Sequence, residues 1–209
     1  LAYIYQKQSK YKEAKSLHEE VLQTKTEFLN PNSQDYAIAL MNFGTYLFET
    51  GEHLKAEEYF LKSDAVYKNN NDTSSVAYAS LKINFAQLYD AKRQLKKSLE
   101  CYEDVIDIYS KNSLDTSENM SIALYGKANC LLLLGNEVDA EKLAKQSFDI
   151  IKENFNTKSI QFGQAALRYG TLLNSIGKHE TSRSYIQQAR EALEKHLDFG
   201  TPEFIRIAQ

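Results

Sequence analysis

Residues 43–60 read FGTYLFETGEHLKAEEYF, and residues 85–102, 42 positions later, read FAQLYDAKRQLKKSLECY. Both segments have an aromatic residue first, a small residue second, a small residue fourteenth and an aromatic residue last. Small residues at a fixed spacing indicate where two helices cross closely, and a period of this length is typical of one helix pair per repeat. The pattern predicts an all-α fold of stacked antiparallel helix pairs.

Two columns of small residues carry this register through the whole chain without an insertion or deletion. The first column comprises Ala2, Gly44, Ala86, Ala128 and Gly170. The second column comprises Ala14, Ala56, Ser98, Ala140 and Ser182. Because one helix pair cannot bury its apolar face alone, we expect function to come from a surface that stacking builds.

Other columns predict where the helices begin and end. A hydroxylic residue that can cap a helix N-terminus precedes each first helix: Ser33, Ser75, Ser117, Ser159 and Thr201. Glycine, which ends a helix in the left-handed conformation at little cost, lies between the two helices at Gly51, Gly135 and Gly177. Ser9 and Arg93 stand in the same column, so we expect those two turns to be less favourable.

The register predicts one continuous array over residues 1–209. It consists of a partial repeat at 1–32, repeats at 33–74, 75–116, 117–158 and 159–200, and the start of a further helix at 201–209. The predicted helices are 35–50, 53–70, 76–92, 95–111, 118–134, 137–153, 160–176 and 179–196, after a partial pair at 1–22. Leu1 falls inside a repeat and a helix opens at Thr201, so we interpret the chain as a piece of a longer protein.

Composition agrees with a helical, interaction-type protein. The chain is 43% hydrophobic and 25% charged, with two prolines and a net charge of −3. Lysine and glutamate alternate along the helices, so nothing suggests a nucleic-acid or membrane partner. The longest apolar run, residues 130–134, is far below the roughly 20 residues of a spanning helix. Cys101 and Cys130 lack metal-site spacing, which favours a reducing, cytoplasmic location.

Catalytic motifs are missing from the sequence. The four histidines, His18, His53, His179 and His196, are dispersed, and there is no HExxH, phosphate loop or GxSxG. Cys130 on an apolar helix face is better interpreted as a packed hydrophobe than as a nucleophile. We therefore predict neither catalysis nor a cofactor or metal site.

These columns resemble tetratricopeptide repeats, specifically the 42-residue variety of kinesin light chain. The matching pairs are Phe43 with Gly44, Phe85 with Ala86 and Tyr169 with Gly170. The pattern departs from the family at Lys127, where an apolar residue is expected, and at Ala144, where Phe60 and Tyr102 are aromatic. The resemblance covers nearly the whole chain and implies a right-handed superhelix.

In that family the first helices line a concave groove that binds protein ligands. Carried over by column, the resemblance implies that the groove presents an apolar row and two polar rows. The implied contact residues are Met41, Asn42, Thr45, Ile83, Asn84, Gln87, Tyr125, Asn129, Leu167, Arg168 and Thr171. Amides offer donors and an acceptor, so they can grip the backbone of an extended peptide. The alternative is that these amides only bond neighbouring helices.

Three functions stay open: an interaction scaffold or adaptor, a regulatory sensor array of a larger effector such as a caspase-like protease fusion, and a peptide-pheromone receptor module. The lysines with which some family members clamp an acidic tail are missing, because Met41, Ile83, Tyr125 and Leu167 occupy the flanking row. Exposed terminal repeats also predict self-association.

Overall fold

The computed structural model describes residues 4–5, 10–25 and 30–194 with their side chains, and the backbone of residues 26–28. From residue 10 to residue 194 the regular structure is entirely helical. In chain order, the helices are α1 Tyr11–Phe28, α2 Gln34–Glu49, α3 His53–Asn69, α4 Val76–Ala91, α5 Leu95–Lys111, α6 Glu118–Leu133, α7 Glu137–Asn154, α8 Ile160–Ser175 and α9 His179–Leu193.

The predicted boundaries of α2 to α8 agree with these helices to within one residue at each end. For the last predicted helix, residues 195–196 lie outside the described residues. For the partial pair predicted at 1–22, the end at residue 22 was wrong, because α1 continues to Phe28. Its length follows the register, since α3 shifted back by 42 residues spans 11–27.

Four serines cap the first helices as predicted. The Oγ atom of Ser33 accepts a hydrogen bond from the backbone N–H of Tyr36 at 3.2 Å. The other three bonds have the same geometry and are formed by Ser75, Ser117 and Ser159. Each hydroxyl satisfies one free amide of the first turn, so the four first helices begin at equivalent positions. Thr201 lies outside the described residues.

The turns inside the repeats use the left-handed backbone. The φ angles of Gly51, Gly135 and Gly177 are 84°, 86° and 79°, and Arg93 in the same column has a φ of 58°. The prediction of a less favourable turn at Arg93 is confirmed, because a residue with a Cβ is strained in this conformation. Ser9 lies outside the described residues.

Opposite substitutions should therefore have opposite effects in this column. We expect Arg93→Gly to raise the free energy of unfolding by about 0.5–1 kcal/mol, since relief of the left-handed strain exceeds the added chain entropy. Gly135→Ala should lower it by about 1 kcal/mol, although a Cβ there would meet no atom within 4 Å. Urea unfolding of both variants measures the two shifts, and shifts of the same sign would contradict the explanation.

The small columns lie where helices cross. A Cβ added to Gly44 on α2 would stand 2.6 Å from the ring of Phe60 on α3, and one added to Gly170 would stand 2.9 Å from Ile186. Ala56 and Ala140, in the other column, are fully buried. The predicted contact role of both columns is confirmed for the described residues.

Serines in the same columns bond across the crossings. The Ser98 hydroxyl donates to the carbonyl of Ala86 at 3.1 Å, and the Ser182 hydroxyl donates to the carbonyl of Gly170 at 2.7 Å. The two donor serines are 84 residues apart, and so are the two acceptor residues, which is twice the repeat length. A hydroxyl therefore replaces the alanine methyl at two crossings without leaving a buried polar group unpaired.

The chain forms two compact units, residues 1–108 and residues 109–209. In the first unit, Tyr67 packs against Tyr78 and Phe60 against Phe85, both with ring centroids 5.5 Å apart. The end of α3 therefore lies beside the start of α4, so consecutive helices run antiparallel. The single array over 1–209 stays a prediction.

The second unit has its own core around α7, α8 and α9. Ala144 is buried there, and the aromatic side chain missing at this position is supplied one turn later by Phe148. The Phe148 ring lies 5.7 Å from that of Phe162, 5.8 Å from that of Tyr169 and 5.0 Å from that of Tyr185. Aromatic edges and faces thus fill the space between stacked helices.

His18 on α1 makes the first unit sensitive to pH. Its ring packs against Phe43 and Tyr46 of α2, and its buried Nε2 has no hydrogen-bond partner among the described residues. Burial lowers the pKa of His18 below 6.5. The unfolded chain then binds more protons than the folded chain as the pH falls through 6.5, so stability is full above this pH and is lost below it.

We expect the free energy of unfolding to decrease as the pH falls below about 6.5. His18→Phe should reduce that decrease, because phenylalanine keeps the ring stacking and does not titrate. Denaturant titrations at several pH values measure the slope, and an unchanged slope in His18→Phe would contradict this role.

Candidate functional site

In the first unit, the predicted groove residues lie on two first helices that contact each other directly, α2 and α4. Asn42 and Thr45 are three residues apart on α2, and Asn84 and Gln87 occupy the equivalent places on α4. Residues three apart share a helix face. The four side chains therefore form two neighbouring polar pairs.

The side-chain amides of these rows form no hydrogen bonds with other described residues. Asn42 and Gln87 are exposed, while Asn84 is half-buried, as is Asn129 on α6 in the second unit. No hydrogen bond within the described residues involves the side chain of any of the four. The alternative that they serve only to bond neighbouring helices is therefore not supported, and their donors and acceptors are available to a ligand.

The two threonines of the rows behave differently. The Thr45 hydroxyl donates to the carbonyl of Met41 at 3.0 Å, and the Thr171 hydroxyl donates to the carbonyl of Leu167 at 2.8 Å. Such bonds to the carbonyl four residues earlier are a common local use of threonine in helices. These hydroxyls can still accept a hydrogen bond from a ligand, but each already donates its proton to a carbonyl of its own helix.

Packing already buries two of the four side chains of the apolar row. Met41 and Tyr125 are half-buried, whereas Ile83 and Leu167 are each only 7% exposed. Side chains that are so deeply packed present little surface to a ligand. Met41 and Tyr125 are therefore the better candidates for apolar contact.

In the second unit, Arg168 is held over an aromatic ring. Its guanidinium carbon lies 5.8 Å from the ring centroid of Tyr125, which joins α8 to α6. Arg168 is exposed, and no carboxylate of the described residues forms an ion pair with it. A cation stacked on a ring keeps its N–H groups free for an anion.

A polar network that the sequence analysis missed supports α4 in the first unit. The Tyr78 hydroxyl donates to Asp64 Oδ1 at 2.9 Å, and Lys82 Nζ lies 2.9 Å from Asp104 Oδ2. Burial, together with the bond to Asp64, raises the pKa of Tyr78 to about 12. Burial alone would lower the pKa of Lys82, but its ion pair with Asp104 keeps that pKa above its usual value. These two contacts tie α4 to α3 and to α5 within the first unit.

The described histidines and the two cysteines do not cluster into a site. His53 packs against the Phe48 ring at 5.2 Å, and His179 Nδ1 lies 2.8 Å from Asn174 Oδ1. Cys101 and Cys130 are buried and are not joined in a disulfide, and burial raises the pKa of the Cys101 thiol to about 11. Within the described residues, no three His, Cys, Asp or Glu side chains are grouped closely enough to hold a metal ion. His196 lies outside this part of the chain.

An open cavity of about 720 Å³ lies between α8 and α9. Its lining includes Leu167 and Thr171 of α8, which belong to the predicted groove, and Arg183 and Ile186 of α9. Apolar, hydroxyl and cationic groups therefore converge on this cavity of the second unit. None of the helices from residue 10 to residue 194 combines the length and apolar character needed to cross a membrane.

Comparison with known proteins agrees with this architecture. Family models described as tetratricopeptide repeat match residues 1–69 and 79–112. No curated protein matches the chain significantly. Among solved structures, BtubC (BKLC) from P. vanneervenii is similar with a TM-score of 0.78 at 15% identity, covering 95% of this chain and 80% of that one.

Two further structures widen the comparison. A putative kinesin light chain from Podosopora anserina with nearly identical TPR-like repeats has a TM-score of 0.75 at 17% identity, covering 93% of this chain and 92% of that one. A Rap protein complexed with Competence and Sporulation Factor has a TM-score of 0.77 at 14% identity, covering 93% of this chain and 52% of that one.

These similarities confirm the predicted fold class, an all-α helical-repeat superhelix. The chain is a tetratricopeptide-repeat protein. In fold, its repeats are similar to those of the putative kinesin light chain and of BtubC (BKLC), in agreement with the 42-residue register.

Proposed function

We propose that this chain is a non-catalytic interaction scaffold that binds an extended segment of a partner protein along its first helices. The observation that carries the proposal is the set of amides at Asn42, Asn84, Gln87 and Asn129, which form no side-chain hydrogen bond within the described residues. Each amide offers two donors and one acceptor. The amides of α2 and α4 can therefore bond the backbone of an extended segment, whatever its side chains, and Asn129 offers the same groups in the second unit.

The charge of the proposed surface suggests which ligands it prefers. The row of α2 and α4 is neutral, so binding there should depend little on ionic strength. Arg168 adds one cation in the second unit, where it can meet a carboxylate of the ligand. A single cation does not favour strongly acidic tails, which need several converging donors.

The absence of catalysis is part of the proposal. The buried Cys101 thiol stays protonated near neutral pH, so it is a poor nucleophile. The described histidines are dispersed and pack or bond locally. We also infer a cytoplasmic location, since two free, buried cysteines suit a reducing compartment.

A second candidate is a receptor or sensor module of a larger regulatory protein. It is favoured by the likeness to the Rap protein that is complexed with Competence and Sporulation Factor, of which the chain covers about half. Such a module would use the same groove for a short signal rather than for a partner protein. The size of the captured ligand distinguishes the two candidates.

The proposal is tested by affinity capture from cell extract followed by mass spectrometry of proteins and of small peptides. The wild-type chain is compared with a groove variant carrying Asn42→Ala, Asn84→Ala and Asn129→Ala. A ligand that both proteins retain equally would show that the groove is not the binding surface. A protein lost only from the groove variant supports the scaffold, and a short peptide lost in the same way supports the sensor module.

A further inference from the structure

Three large apolar side chains are exposed at the turn between α6 and α7 in the second unit. Leu133, the last residue of α6, and Leu134, which follows it, are each 49% exposed, and Val138 in the first turn of α7 is 79% exposed. The turn between them is held by hydrogen bonds from the backbone N–H groups of Gly135 and Asn136 to carbonyls of α6. We call the three exposed residues the α6–α7 patch.

The repeat fold does not require apolar residues at these positions. The residue 84 positions before Leu133 is Glu49, and the residue 42 positions before Val138 is Lys96. Helix pairs therefore form in this chain with charged residues in the same columns. Single exposed apolar residues are ordinary, but several large ones grouped at one turn are typical of an interaction surface.

The repeat register does not place a further part of the chain over this patch. Leu54, 84 positions before Val138, lies at the equivalent turn of the first unit and is 78% exposed, although α4 and α5 follow it. A following repeat therefore stacks on the preceding helix pair and leaves this edge open. The helix predicted from Thr201 would stack on α8 and α9 in the same way.

The charge around the patch is negative. Residues 133–142 contain three acids and one lysine. Glu141 forms an ion pair with Lys178. Glu137 and Asp139 are both exposed, and neither forms an ion pair within the part of the chain that the structure describes. An occupant with lysine or arginine beside its apolar side chains would complement these two carboxylates.

Two other occupants fit this charge poorly. A second copy of the chain, joined through the same patch, would bring the Glu137 and Asp139 carboxylates of both copies together, where they repel each other. An anionic lipid surface would be repelled by the same carboxylates. An interface between two folded proteins also has about 20–30 residues on each side, whereas this patch offers only a few. A short basic segment therefore fits best.

We propose that the α6–α7 patch docks a short segment of a partner protein in which apolar residues are flanked by lysine or arginine. The apolar side chains of the segment contact Leu134 and Val138, and a flanking cation pairs with Glu137. This surface lies at the edge of the second unit, apart from the amide pairs of α2 and α4 in the first unit. The inference does not depend on the proposed function.

The test uses the full chain and a phage-displayed library of random short peptides as the probe. The patch variant carries Leu133→Gln, Leu134→Gln and Val138→Gln. The matched control carries Leu54→Gln and Leu61→Gln, which remove two other exposed leucines. We expect the wild-type chain to enrich peptides that combine apolar residues with lysine or arginine. These peptides should bind the patch variant at least about 10-fold more weakly in fluorescence anisotropy, and the control as tightly as the wild type.

Single charge changes test the role of the acids without altering the apolar residues. Glu137→Lys should weaken binding of an enriched peptide about 3- to 10-fold at low salt, and the effect should decrease at high salt. Glu153→Lys makes the same charge change at the other end of α7 and should have no effect. The double variant Asn42→Ala and Asn84→Ala should also have none, which separates this test from that of the proposed function.

The proposal is overturned if no enriched peptide depends on the patch, or if the patch-dependent peptides carry no basic residues. Equal binding by Glu137→Lys and the wild type would also overturn it. Sedimentation velocity tests the choice of occupant, because self-association that the patch variant abolishes would show that a second copy occupies the patch. Urea unfolding should give equal midpoints for the patch variant and the wild type, since all three replaced side chains are exposed.

Discussion

Replacing Gly44 by leucine is expected to lower the free energy of unfolding of the first unit by about 3 kcal/mol. A Cβ at this position would stand 2.6 Å from two atoms of the Phe60 ring and 3.3 Å from the carbonyl oxygen of Ala56. The Phe60 ring cannot move aside easily, because it is fully buried and packs against Phe85 of the next repeat. The strain therefore opens either the α2–α3 crossing or the contact with α4.

Urea unfolding followed by circular dichroism at 222 nm measures this loss as a lower transition midpoint. Asn42→Leu is the matched control, because it adds leucine on the same helix at an exposed position and should change stability by less than about 0.5 kcal/mol. Equal midpoints for Gly44→Leu and Asn42→Leu would mean that the crossing is looser than described.

The largest functional effect is expected from the groove variant that replaces Asn42, Asn84 and Asn129 with alanine. Loss of one neutral hydrogen bond costs about 0.5–1.5 kcal/mol, so the three together should weaken binding roughly 10- to 2000-fold. Asn84→Ala alone should weaken it about 2- to 12-fold. Stability should be preserved, because none of these side chains bonds within the described residues.

The control replaces three exposed amides on second helices, Asn69, Gln146 and Gln187, with alanine. It removes the same kind of group from the opposite set of helices. Isothermal titration with the ligand obtained by affinity capture compares the two variants with the wild type. If the control loses affinity and the groove variant does not, the ligand binds on the second helices and the concave proposal is wrong.

Most of the secondary structure could be predicted from the sequence because its causes are local. A serine cap, an apolar stripe and a left-handed residue act within a few positions of one another, so α2 to α8 agree with the predicted boundaries. The end of α1 was missed although Pro31 lies three residues after Phe28, where a proline commonly follows a helix. The length of α3, one period later, also indicates a longer α1 than the predicted end at residue 22 allows.

The candidate site was predictable only as a set of positions. Repeat columns place Asn42 beside Asn84 and Thr45 beside Gln87, and the structure brings α2 and α4 together as expected. The columns do not reveal that the Thr45 hydroxyl bonds its own helix or that Ile83 is 7% exposed. Those properties depend on rotamers and on packing by neighbouring helices.

The sequence by itself determined the repeat length, the helix pairs and the positions of close approach, because a 42-residue period with small residues in fixed columns is compatible with few other arrangements. Only the tertiary structure decided which charged groups form ion pairs and which amides form hydrogen bonds. Glu57 and Lys92 are 35 residues apart, and Asp64 and Tyr78 lie on different helices, so their pairing requires the docking geometry of whole helices. The same geometry leaves the amide of Asn42 without a hydrogen-bond partner among the described residues, and no local pattern encodes that result.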